Sequence, residues 1–185
     1  MFIKTLILEK INYKYIIKFV VLLSVANIAP LIGIHSQWVT GPIVNMALIL
    51  AVFMLGARGA LLIGMLPSTI ALGIGLLPAI LAPMVPFIIV SNVILVLMID
   101  RLTTDNKLQT TNDKRLTTNY WLVLLLGAGL KYLFLWATSG VVISLLLNKT
   151  VAAKLAMMMS WPQFVTAVIG GVMAYCVLKL SVKNR

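Results

Sequence analysis

The sequence predicts an all-α, polytopic membrane protein, a single bundle of six transmembrane helices spanning 1–185, and three observations carry that expectation. Apolar runs dominate: 62% of the 185 residues are hydrophobic and 10% are charged, with a mean hydropathy of +1.09. A water-soluble domain is closer to half apolar. The basic residues gather on alternate connections between those runs, and the runs themselves are long enough, or nearly so, to cross a bilayer.

A helix needs roughly 20 apolar residues to cross about 30 Å of hydrocarbon. In order, the spans fall at about 16–34, 41–56, 59–77, 80–99, 120–147 and 156–180. The second is short and the third is broken by Pro67, yet both are too apolar for water and too closely spaced to be soluble loops. Proline removes an amide donor and glycine permits close backbone approach, so spans three and four are expected to be kinked and tightly packed. The uncharged run Leu76-Leu77-Pro78-Ala79 suits an outer turn, with Pro78 starting the next helix.

Cytoplasmic flanks collect Lys and Arg, and this tests the count independently. With both termini inside, twelve of the fifteen basic residues are cytoplasmic: Lys4, Lys10, Lys14, Lys18, Arg58, Arg101, Lys107, Lys114, Arg115, Lys179, Lys183 and Arg185. The outer loops hold only Lys149 and Lys154, and Lys131 falls inside a span. An odd number of spans would put the termini on opposite sides and spoil this match. The basic start has the outline of a signal peptide, but its apolar run is long, continues into Pro30 and Gly33, and is followed by no small-residue cleavage site.

The net charge of +11 is dispersed along one membrane face. That suits anionic headgroups of the lipid bilayer and not nucleic acid. The polar stretch 101–119, with the similar strings TTDNK and TTNDK, is expected to be a flexible cytoplasmic linker between spans one to three and four to six.

Catalysis finds little support. The chain has one histidine, His35, and one cysteine, Cys176. Its four acids, Glu9, Asp100, Asp105 and Asp113, all fall on the cytoplasmic side, so no catalytic residue, metal site or cofactor is expected.

Lys131 is the most informative residue. It lies about 11 residues into span five, roughly 16 Å deep at ~1.5 Å per residue, where a charge costs about 2.5–3.5 kcal/mol. Either an anionic ligand group in an internal cavity offsets that cost, or the stem snorkels to the cytoplasm or donates to backbone carbonyls freed by prolines. Gly127, Lys131, Phe134 and Thr138 share one helical face, a mixture that suits a mostly apolar pocket with few polar anchors. Amides are costly in lipid, so Gln37, Asn45, Asn92 and Gln163 are expected to face inwards, as interhelix contacts or ligand contacts. Trp38 and Trp161 are interfacial anchors or part of the same site. The candidate substrate-binding set is Gln37, Trp38, Asn45, Asn92, Lys131, Thr138, Trp161 and Gln163. Gln163, Ala167, Gly170 and Ala174 share a face of span six, and Ala26, Ala29, Pro30 and Gly33 share one on span one. Small residues of this kind mark close helix contacts.

A set of motifs adds a resemblance. Thr40-Gly41-Pro42-Ile43-Val44-Asn45, Gly64-Met65-Leu66-Pro67, the run from Gly75 through Pro78, Pro83 and Pro86 to Phe87, Asn92, and Met159-Ser160-Trp161-Pro162-Gln163 follow in an order that resembles the S components of energy-coupling-factor (ECF) transporters. The likeness spans nearly the whole chain. It implies a multi-pass subunit of the bacterial plasma membrane that captures a small-molecule substrate, a vitamin, its precursor or another micronutrient, from outside. It also implies assembly with an ECF transmembrane coupling subunit and two ATPase subunits. ATP hydrolysis would belong to those partners, and this chain has no phosphate-binding G-x-x-x-x-G-K-[ST] loop. The family docks through small residues on span one, often alanines spaced by four. The counterparts here are Ala26, Ala29 and Gly33, a departure from the alanine pattern. From the residues alone, a stand-alone channel or secondary transporter and a structural or assembly subunit of a membrane complex stay open as alternatives.

Overall fold

A computed structural model describes residues 13–31, 36–75, 79–105, 113–145, 153 and 156–183. Among them the chain is helical: α1 (Tyr13–Leu31), α2 (Gln37–Gly73), a 3-10 segment (Ala79–Met84), α3 (Val85–Asp105), α4 (Asp113–Leu145) and α5 (Trp161–Lys183). Four helical stretches among the described residues are long and apolar enough to cross a membrane: Gln37–Gly73, Ala82–Arg101, Tyr120–Ser144 and Ala156–Ser181.

The first of these is two arms. Inside α2, Gly56 has φ 78° and ψ 175°, a conformation that only glycine adopts without strain. The chain reverses there. A side-chain carbon added to Gly64 would lie 3.2 Å from Leu48, a contact that a continuous helix would separate by about 24 Å at ~1.5 Å per residue. Arms 37–55 and 57–73 are each roughly 25–28 Å long on the same rise, close to the hydrocarbon thickness. The sequence placed a break between 56 and 59. The departure from helical dihedrals falls at Gly56, and the helix continues through Pro67, so the break expected at Pro67 is not found.

α2 is the centre of the bundle, packing against α1, α3 and α5, while α4 closes the ring between α3 and α5. The α2–α5 seam is tight because it is built from small residues. Carbons added to Gly41 and Gly170 would lie 2.8 Å from Thr166 and 2.7 Å from Asn45 respectively. Gly41 and Asn45 on one helix thus meet Thr166 and Gly170 on the other, each pair one turn apart, and the backbones approach closely without lipid between them.

Two apolar clusters fill the bundle. The larger joins Leu22, Ala26, residues 47–52, Ala60, Ile63, Leu95, Ile99, Tyr120, Leu124 and Ala174. It occupies the end marked by Gly56 and Arg58, where Phe53, Tyr120 and Tyr175 stack in sequence and the Tyr120 hydroxyl donates to the Gly171 carbonyl at 2.6 Å. The smaller cluster lies at the opposite end: Met84, Leu135, Val142 and Met159, with Phe87, Ile88, Phe134, Ile143 and Met158 against them.

Two expectations are corrected here. The stretch 101–119 is not all linker, because α3 runs on through Asp105 and α4 begins at Asp113; helices extend past the apolar segment, leaving 106–112 outside the described residues. Ala26 is fully buried in the chain's own core, so it cannot belong to an exposed docking stripe. Its small size serves the close packing of α1 on α2 instead. The side chain of Ala29, and Gly33, lie outside the described residues.

Candidate functional site

The eight candidate side chains separate into two groups and one outlier. Asn45 on the first arm of α2, Asn92 on α3 and Lys131 on α4 converge between the two apolar clusters. The Lys131 ammonium donates to Asn45 Oδ1 at 2.7 Å and to Asn92 Oδ1 at 2.8 Å, and Asn92 Nδ2 donates to the Gly64 carbonyl on the second arm at 3.1 Å. Lysine has only donors, which fixes both amide oxygens towards it. All three residues are at most 3% exposed.

This geometry decides how the lysine is accommodated. The stem does not snorkel, and its acceptors are side-chain amides and not freed backbone carbonyls. Hydrogen bonds to a charged group are worth about 1.5–3 kcal/mol each, so two of them are comparable to the ~2.5–3.5 kcal/mol insertion cost. The hub ties four helical segments together: both arms of α2, α3 and α4. A fifth touches it, since Gly170 of α5 abuts the Asn45 side chain.

The second group lies at the end of the bundle near the smaller cluster. Gln37 Nε2, in the first turn of α2, donates to the Met158 carbonyl at 2.8 Å, and Gln163 Nε2, in the first turn of α5, donates to the same carbonyl at 3.2 Å. The Trp38 and Trp161 rings stand 5.3 Å apart at 53°, both about half exposed. Together these residues form a rim that pins the 156–160 segment across the starts of α2 and α5.

Thr138 belongs to neither group. Its hydroxyl donates back to the Phe134 carbonyl at 2.8 Å, as hydroxyls in helix interiors commonly do. Phe134, one turn beyond Lys131, packs instead with Phe87 at 6.5 Å between ring centroids. Between hub and rim lie Met84, Phe87, Phe134, Leu135 and Met159, packed together as one apolar cluster whose flexible thioethers repack more readily than branched aliphatic side chains.

Three contributors escaped sequence reasoning: the carbonyls of Gly64 and Met158, and Gly170 as the backing of Asn45. A carbonyl acceptor has no residue-type signature. Among the described residues no group of three or more His, Cys, Asp or Glu is placed to hold a metal. Compared with protein-family models, curated proteins and solved structures, the chain matches none.

Proposed function

We propose that this chain is the membrane-embedded substrate-binding subunit of an ECF-type micronutrient transporter. It has six spans, with both termini on the cytoplasmic side of a bacterial plasma membrane. The six spans are α1, the two arms of α2, α3, α4 and α5, whose alternating directions suit the inside-positive charge pattern. The ligand enters past the Gln37–Gln163 and Trp38–Trp161 rim, lies against the Met and Phe side chains of the smaller cluster, and is held at its inner end by the Lys131 hub.

The observation that carries this proposal is the hub itself: a buried cation on two neutral amides, beneath an uncharged polar rim. A coupling subunit and two ATPases supply the energy, and the chain carries out no chemistry of its own. Co-expression with an ECF coupling subunit and its ATPases, followed by affinity purification through this chain, tests it. Stoichiometric recovery of all three partners is the expected result; recovery of this chain alone under conditions that preserve an authentic ECF complex contradicts it.

One observation favours a second reading. Lys131, Asn45 and Asn92 bond to one another, which is how a polar clamp would hold helices in a structural subunit of a membrane complex. In that case no small molecule accompanies the purified chain, and Lys131→Met affects stability alone.

A further inference from the structure

Resting on the substrate-binding reading, we propose that the hub is a carboxylate subsite, so that the ligand is a monocarboxylic acid with an apolar body. The hub is rich in donors and poor in acceptors. Both amide oxygens, Asn45 Oδ1 and Asn92 Oδ1, accept from Lys131, and Asn92 Nδ2 is committed to the Gly64 carbonyl. Among the described residues, the two amide oxygens are the acceptors found for the Lys131 ammonium, which carries a third proton.

A partner for this arrangement must accept hydrogen bonds without donating any. Ketone and ester carbonyls, ethers and ionised oxyacids all meet that condition, and the positive charge of the ammonium favours the last. Charge selects further. Among the described residues, the hydrogen-bond partners found for the Lys131 ammonium are neutral amides. The hub therefore balances one negative charge. A dianion such as a phosphate monoester would leave a second charge uncompensated in a medium where this is costly. A carboxylate matches on both counts, with a charge-assisted bond to the ammonium. Phe134 and Leu135, one turn beyond Lys131, Phe87 and Ile88 on α3, and Met84 at the end of the 3-10 segment supply apolar contact for the rest of the molecule.

Thermal unfolding of the full chain in detergent tests this, with sodium acetate, hexanoate and dodecanoate as probes against the corresponding primary amides and sodium chloride at equal ionic strength. The expected result is a saturable rise in melting temperature with at least one carboxylate, none with its amide or with chloride, and loss of the response in Lys131→Met. A response peaking at hexanoate or shorter points to an acid taken from water, and one peaking at dodecanoate to a fatty acid from the bilayer. Should Lys131→Met fail to fold, Asn45→Asp serves: it places a carboxylate within the hub, and the response should vanish while the fold persists. An equal response to acid and amide, an unchanged response in the variant that folds, or no response to any probe overturns the subsite. Recovery of the ECF partners is independent of this readout. If the carboxylate response fails while the partners still co-purify, the subsite is wrong and the transporter proposal stands; the reverse pattern removes the transporter and keeps the site.

Discussion

The two ends of this bundle are built from different materials. The end marked by Gly56 is packed with Leu, Ile, Val and Ala, braced by stacked aromatic rings and a buried tyrosine hydrogen bond. The opposite end is a small cluster of Met, Phe and a few aliphatic residues, closed over by two glutamines that share one carbonyl and by two half-exposed tryptophans. The polar hub sits where they meet. In lipid no hydrophobic driving force separates helix from solvent, so stability comes from packing and internal hydrogen bonds. The aliphatic end maximises the first and can be rigid. The Met and Phe end, with flexible side chains and a rim held by single hydrogen bonds, can rearrange at low cost, which is the property a ligand site needs.

If that contrast is right, mutations at the two ends should separate stability from binding. The largest effect belongs to the hub between them. Asn92→Leu removes an acceptor from a buried ammonium and takes the side-chain donor from the Gly64 carbonyl, so it should cost about 2–3 kcal/mol in reversible unfolding with sodium dodecyl sulfate, and abolish ligand retention as well. Leu48→Ala opens a cavity in the aliphatic end. Because the membrane-inserted reference state is itself apolar, only the packing loss counts, and the cost should lie near the lower end of the usual range, about 2 kcal/mol, with retention unchanged.

Smaller effects sharpen the comparison. At Gly56 an added side-chain carbon meets nothing within 4 Å, so Gly56→Ala isolates backbone strain alone. About 1–2 kcal/mol of destabilisation is expected, and a neutral outcome in the same unfolding assay would mean that the two arms do not depend on this turn. Gln37→Ala removes one rim hydrogen bond. It should lower stability by about 1 kcal/mol or less but speed ligand exchange, measured by release of a bound radiolabelled ligand; unchanged exchange would separate the rim from the site.

Much of this organisation was legible in the sequence because it rests on local chemistry. Two apolar runs joined at a Gly-Ala-Arg-Gly stretch mark the reversal at Gly56, and the depth of Lys131 follows from counting residues along its span. That Asn45 and Asn92 face inwards follows from the cost of an amide in lipid. Their pairing with Lys131 could not be read, since the partners lie 86 and 39 residues away and the bundle's arrangement alone brings them together. The meaning of small residues was legible only by half: Gly170 and Ala26 both signal close approach, but not whether the neighbour is this chain or another. Both prove to pack within the chain. Thr138 shows the corresponding limit for hydroxyls, because the carbonyl one turn back always competes for the proton.

The most direct test of the central claim, that the hub at the junction holds a small molecule, is mass spectrometry of the compounds released from the purified full chain after mild detergent extraction, comparing wild type with Lys131→Met. The account predicts a compound present at near-stoichiometric amount in the wild type and absent from the folded variant. Equal amounts in both, or none in the wild type, would contradict it.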